Sequence, residues 1–344
     1  MGMKRDERAD VTVLVTGGAG MIGSNLVKRL SGLGVRVKVA DNLWRGRLEN
    51  LLEDDGTPSI DLERDFHNLD LTVPGVLDSL LPEVDYVYHL ADVVAGIGYV
   101  FSHQGSIFRQ NLLINSNVVE SVRAQTLRGF LYVGTACSFP AQLQSGVDAR
   151  PLREQDLYPA SPESAYGWSK LMGQYETDLL EKECEIPVSV LMLHNVYGTP
   201  TDYSARTGQV IPSLVRKALR YPDEPFVVWG DGSQGRAFVH VDDVVDALIA
   251  AKDRGLGRGT IQIGPDICTP IREVAETIVA ISGKDIPIRY DVSAPEGDRG
   301  RCADYSLARE VLGWQPQVSL REGLERVYEW MDRSLQQELA HVVA

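Results

Sequence analysis

The stretch Thr16-Gly17-Gly18-Ala19-Gly20-Met21-Ile22-Gly23 constrains this chain more than any other. It follows an apolar run at residues 11–15 that reads as a buried strand. It precedes Ile22, Leu26, Val27 and Leu30 at helical spacing. The three key glycines have separate duties there. Gly17 allows a tight turn, Gly20 lets backbone approach a pyrophosphate, and Gly23 lets the helix pack closely. The helix start then offers N–H donors to the phosphates. The next apolar run ends at Asp41, roughly 20 residues after the loop. A carboxylate there accepts from a ribose 2′-hydroxyl and repels a 2′-phosphate, which favours NAD as cofactor. Arg45 and Arg47 nearby leave NADP open.

Residues 35–40, 84–90, 130–133 and 188–193 read as further strands, with helices between them. That alternation predicts an α/β fold: a Rossmann-type, doubly wound parallel sheet. A helix is expected over residues 162–181, capped by Ser161 with Pro162 in its first turn. After Gly208 the elements shorten and Pro/Gly loops separate them. The expected organisation is a dinucleotide-binding domain over residues 1–190, with a return around 237–265. A smaller, interleaved substrate domain takes most of residues 191–344.

The net charge of −14 excludes nucleic acid and anionic membrane as natural partners. No apolar run is long enough for a membrane helix. The charged start, residues 1–10, lacks the apolar core of a signal peptide, so a cytoplasmic setting is expected. Cys137, Cys184, Cys268 and Cys302 show neither metal-ligand nor redox spacing, and read as separate thiols. No metal site is expected.

Tyr166 and Lys170 lie four apart on the expected helix and share a face. An ammonium beside a phenol favours the phenolate, which can then take a proton from a hydroxyl. Thr135, at the end of a strand, has a hydroxyl able to orient the same oxygen.

Together these features resemble the extended short-chain dehydrogenase/reductase family, the nucleotide-sugar epimerases and dehydratases. The resemblance runs through the Gly17–Gly23 loop, Asp41-Asn42, Asp70-Leu71, His89-Leu90-Ala91, Asn111, Thr135 and Tyr166-Gly167-Trp168-Ser169-Lys170. It continues through His194-Asn195-Val196-Tyr197-Gly198, Trp229-Gly230-Asp231-Gly232, Asp242-Asp243 and Leu312-Gly313-Trp314. It implies an enzyme that binds NAD through Gly17, Gly20, Met21, Ile22, Gly23, Asp41, Asn42, Asp70, Leu71, Leu90, Ala91, Asn111, Tyr166 and Lys170. It implies that Asn195, Arg236 and Arg299 hold a nucleotide-diphosphate sugar. It also implies a homodimer built on the Tyr166 helix and the helix around Asn111.

Three stretches narrow the family: Ala95-Gly96-Ile97-Gly98, Thr135-Ala136-Cys137-Ser138-Phe139-Pro140, and Pro295-Glu296-Gly297-Asp298-Arg299-Gly300-Arg301. All three resemble the GDP-mannose 3,5-epimerases, and the second also the GDP-fucose synthases. A GDP-sugar is therefore the favoured substrate, with Gly96 and Ile97 on it. The resemblance makes Cys137 a base at C3 or C5, acting after Tyr166 and NAD have oxidised C4. Sugar dehydratases place a carboxylate where Cys137 stands. The partner acid of those epimerases, a lysine or histidine, aligns with Gln209, and an amide cannot supply an acidic proton. The alternative is a 4-ketoreductase, 4-dehydrogenase or 4-epimerase that inverts neither C3 nor C5. A third class is a non-catalytic NAD sensor, which has no need of Thr135, Tyr166 and Lys170 together.

Overall fold

The computed structural model describes residues 11–294 and 297–343, with side-chain surroundings to residue 338. Residues 1–10, which carried the reading of the chain start, lie outside the described residues, as do Pro295 and Glu296 of the late motif. The elements run β1 (Thr12–Thr16), α1 (Met21–Gly32), β2 (Arg36–Asp41), β3 (Phe66–Asn68), β4 (Tyr86–His89), α2 (Ile97–Ser102), α3 (Gln104–Arg123) and β5 (Gly129–Thr135). They continue with α4 (Ala165–Cys184), β6 (Val188–Leu193), β7 (Asn195–Tyr197), α5 (Val210–Arg220), β8 (Val227–Trp229), β9 (Gly235–Arg236), β10 (Phe238–His240), α6 (Val241–Arg254) and β11 (Thr260–Ile263). The last are β12 (Thr269–Pro270), α7 (Ile271–Ser282), β13 (Arg289–Asp291), β14 (Gly300–Arg301), α8 (Ser306–Leu312) and α9 (Leu320–Val343).

Seven strands form one parallel sheet in the order β11-β6-β5-β4-β1-β2-β3. This is the doubly wound sheet the alternating pattern predicts. Its central strands are mainly apolar because both faces are covered, and alternate residues enter opposite cores. In β5, Phe130 and Tyr132 pack with Ile107, Val118 and Val122 of α3 and Leu171 and Leu180 of α4. Leu131, between them, packs with Leu26 and Leu30 of α1 and Val244 and Leu248 of α6. A third core joins Leu214 and Val215 of α5, Val274 and Ile278 of α7, and Leu324, Val327 and Met331 of α9.

The winding direction reverses between β1 and β4, which opens a crevice above the carboxyl ends of the strands. The loops after β1, β4, β5 and β6 all empty into it.

Two local readings are corrected. The Tyr166 helix begins at Ala165, not at Pro162, because the Ser164 hydroxyl accepts the Gly167 N–H at 3.2 Å. Ser161 Oγ instead accepts from Gln142 at 3.2 Å. The cysteines are not four separate thiols. Cys268 and Cys302 form a disulfide, with Cα atoms 5.2 Å apart. Their separation in sequence hides this, but β12 and β14 both pair with β9 and bring them together. No helix among the described residues is long and apolar enough to cross a membrane.

Candidate active site

The cleft above the sheet encloses about 2200 Å³. That is more than twice the usual space for one small ligand, so two large ones fit side by side. One wall is the glycine loop. Gly17 has φ +70°, and a Cβ there would come within 2.9 Å of the Ala91 backbone. A Cβ on Gly23 would strike the Gly17 carbonyl oxygen, so the third glycine closes the helix onto the loop itself. Gly20 caps α1 without a side-chain acceptor, and the first turn, with Met21 and Ile22, carries no acid. The amide hydrogens of that turn are left for an anion.

Asp41 ends β2 and is 9% exposed. Its carboxylate accepts the N–H of Ala19 at 3.0 Å and of Leu43 at 2.8 Å. Burial raises its pKa, opposed by those two donors. The lone pairs that remain suit a ribose diol. Asn42, Asp70, Leu71, Leu90 and Ala91 complete this wall. Asp70 spends one oxygen on the N–H and hydroxyl of Thr72, at 2.9 and 2.8 Å. The residues present therefore fit NAD: the α1 turn would take its phosphates and Asp41 its adenosine ribose, while Lys170 lies behind the cleft lining.

Behind this wall stands a network that sequence reasoning missed. His89 Nε2 lies 3.0 Å from Asn115 Oδ1, and its Nδ1 lies 2.7 Å from Thr16 Oγ1. The Thr16 oxygen accepts the N–H groups of Leu90 and Ala91 at 3.2 and 3.3 Å. Burial, then Lys170, pushes the His89 pKa down to about 3, so the ring is a neutral strut. Asn111 is also fully buried. Its amide is spent on both backbone groups of Val93, at 2.7 and 3.2 Å, and on Ser169 Oγ at 3.3 Å. It ties the loop after β4 to α4 and does not line the cleft.

Thr135, Cys137, Tyr166 and the expected sugar contacts other than Arg299 converge on the cleft. Thr135 Oγ1 accepts the Cys137 N–H at 3.2 Å. Lys170 is 1% exposed, and its Nζ sits 4.5 Å from the centroid of the Tyr132 ring. Burial lowers its pKa, opposed by Asp92. The Tyr166 hydroxyl donates to Asp92 Oδ2 at 3.0 Å. Burial and then Asp92 push its pKa well above the ordinary phenol value. The Tyr166 hydroxyl hydrogen is thus directed at the Asp92 carboxylate. Asp92 faces both groups. Asp92 follows His89-Leu90-Ala91 directly, which was the one sequence signal for it.

On the far wall lie Gly96, Ile97, Asn195, Gln209, Arg236 and Arg301. Asn195 Oδ1 is buried without a hydrogen-bond partner among the described residues, as is Arg301 Nε. Both are available to a polar ligand. Arg236 is 7% exposed, and burial followed by Arg301 lowers its pKa to about 10. Arg299 lies outside the cleft lining. It donates to Ser233 Oγ at 2.8 Å and pairs with Asp231 at 3.4 Å. Arg301 takes the cleft position because the register of β14 on β9 sets it opposite Arg236. Arg301 also pairs with Asp298 at 2.8 Å and faces Cys137. Glu163, on the same wall, shares a hydrogen bond with Asp298. Burial, then Asp298, pushes its pKa up to about 6.

A dinucleotide loop, a Tyr/Lys pair and a second ligand wall define a nicotinamide-dependent enzyme acting on a second, bulky substrate. Residues 13–264 match the NAD dependent epimerase/dehydratase family, and the chain belongs to it. GDP-mannose 3,5-epimerase 1 of Oryza sativa subsp. indica is 31% identical over 328 residues, covering 95% of this chain and 83% of that protein. UDP-glucuronic acid decarboxylase 2 of Arabidopsis thaliana is 30% identical, covering 94% of this chain and 68% of that protein. Among solved structures, UDP-glucose 4-epimerase of Thermotoga maritima aligns with a TM-score of 0.82 at 28% identity, over 94% of this chain and 100% of that one.

Proposed function

We propose that this enzyme is a nucleotide-sugar epimerase acting on a GDP-sugar by transient oxidation at C4, proton exchange at C3 or C5, and re-reduction. The supporting observation is Cys137. It lies in the cleft beside Thr135 and faces both Tyr166 and Arg301. Held at the α1 turn and Asp41, NAD would supply reversible hydride chemistry at C4. A ketone at C4 acidifies its neighbours, and Cys137 removes one proton. The Thr135 hydroxyl steadies the enolate oxygen. Arg236 and Arg301 hold the diphosphate, and Asn195 meets the nucleotide side. The opposite proton needs an acid, which Gln209 at the start of α5 cannot be. Glu163 supplies it, since burial and Asp298 raise its carboxyl to about 6 and its acid form is populated below that pH.

Gln209 also supports a second reading, a 4-epimerase or 4-ketoreductase that inverts neither C3 nor C5. Incubation with NAD and GDP-mannose in deuterium oxide separates the two by NMR. Deuterium at C3 or C5 is expected. No exchange with any of several GDP-, UDP- and CDP-sugars refutes the epimerase. We further propose a homodimer through α3 and α4, whose Leu113, Trp168 and Tyr175 are exposed. Sedimentation at micromolar concentration tests it, and a monomer there refutes it.

A further inference from the structure

Tyr166 points its hydroxyl hydrogen at a carboxylate rather than into open space. Asp92 Oδ2 accepts it at 3.0 Å, and Lys170 Nζ stands 3.6 Å from the same oxygen. The Asp92 side chain is 14% exposed and lies on the cleft wall between β4 and α4. The titratable groups facing it are Tyr166 and Lys170 from α4 and Tyr132 from β5, while Cys137 faces Tyr166. A phenol that keeps its hydrogen cannot take another from a substrate hydroxyl. Its own must leave first or leave in the same motion, and the one acceptor in contact with Tyr166 Oη among the described residues is Asp92.

We propose that Asp92 is the proton acceptor behind Tyr166: as a substrate hydroxyl passes its hydrogen to Tyr166 Oη, the original phenol hydrogen passes to Asp92 Oδ2. This rests on the family's NAD-linked oxidation of a sugar hydroxyl and not on which carbons are inverted. The substrate O–H bond breaks and a Tyr166 O–H bond forms. The old Tyr166 O–H bond breaks and an Asp92 O–H bond forms. The electron pair of the substrate C–H bond leaves with its hydrogen to NAD. Re-reduction runs the same relay backwards, so no proton is consumed over a cycle. Lys170, held over Tyr132, keeps the carboxylate turned toward Tyr166. Asp92 acts through Tyr166 and is a positioning and relay residue, not a group on the sugar.

Two measurements test this. The first is an ultraviolet titration of tyrosinate in cofactor-free protein, with the Tyr166→Phe signal subtracted. Tyr166 should ionise at lower pH in Asp92→Asn than in the wild type. Identical titrations overturn the relay. The second is single-turnover oxidation with NAD and a nucleotide sugar. Asp92→Asn should be slower by roughly 100-fold or more. Asp92→Glu should recover part of the rate. An unchanged or faster Asp92→Asn overturns the proposal, since Asp92 would then merely park the phenol. Circular dichroism and calorimetric NAD binding verify the fold. If Asp92→Asn does not fold, Asp92→Ala serves both measurements. If no sugar is oxidised by the wild type, the substrate reading fails while the tyrosinate titration still decides the role of Asp92.

Discussion

Arg45 Nε and Asp202 Oδ2 stand 3.2 Å apart, an ion pair joining the loop after β2 to the loop after β7. Arg45 also donates to the Val94 carbonyl at 2.8 Å. In sequence this arginine left NADP open. In space it straps the two sides of the cleft and is committed before any ribose arrives.

Arg45→Ala should therefore leave the NAD-to-NADP affinity ratio within about threefold. It should raise KM for the sugar and cost roughly 1 kcal/mol of stability, as a partly exposed pair does. Calorimetry with both cofactors checks this. A collapse of the ratio would mean that Arg45 faces the 2′-position after all.

Cys137→Ser should suppress solvent deuterium exchange by roughly 100-fold or more, while C4 oxidation by NAD continues. NMR reads the first and nicotinamide absorbance the second. Equal loss of both would make Cys137 a structural residue.

The Glu163 carboxyl is raised to about 6 by burial, then Asp298, against the lowering pull of Arg301 and Arg236. Its acid form is populated below that value. Exchange should thus fall as pH rises through about 6, and Glu163→Gln should abolish that limb and most of the exchange. A limb unchanged in Glu163→Gln would remove Glu163 from the reaction.

His89 and His194 are both held near 3 by burial, against an ordinary value of 6.5. Their folded pKa values are depressed, so the unfolded chain binds more protons between about 6.5 and 3. Stability is fully present above that window and is lost as pH falls through it. At pH 5 the loss should be on the order of 2 kcal/mol per histidine. Urea midpoints at neutral pH and pH 5 measure it. Equal midpoints would mean that the rings accept protons in place.

The parts legible in sequence were those set by neighbours along the chain. The glycine loop reads directly because strand, turn and helix follow within a few residues. Tyr166 and Lys170 read because four residues make about one helical turn. Ser164 was missed as the cap because Ser161 and Pro162 carry the same local signal. Only the backbone path shows which serine meets an N–H.

Residues set by folding back were not legible. Arg299 and Arg301 are equivalent in the motif, and the pairing of β14 with β9 decides which one enters the cleft. Cys268 and Cys302 look independent until the same small sheet joins them. Asp92 sits in plain sequence beside a recognised motif, yet its role exists only because β4 and α4 bring it against Tyr166.

The sequence by itself determined the doubly wound sheet, the NAD loop and the Tyr/Lys pair, because periodicity and short spacing encode them. Tertiary structure alone decided the Asp92 partner of Tyr166, the ring state of His89 and the choice of Arg301. Burial and the charges brought near from distant segments set those properties, and neither is written in local order.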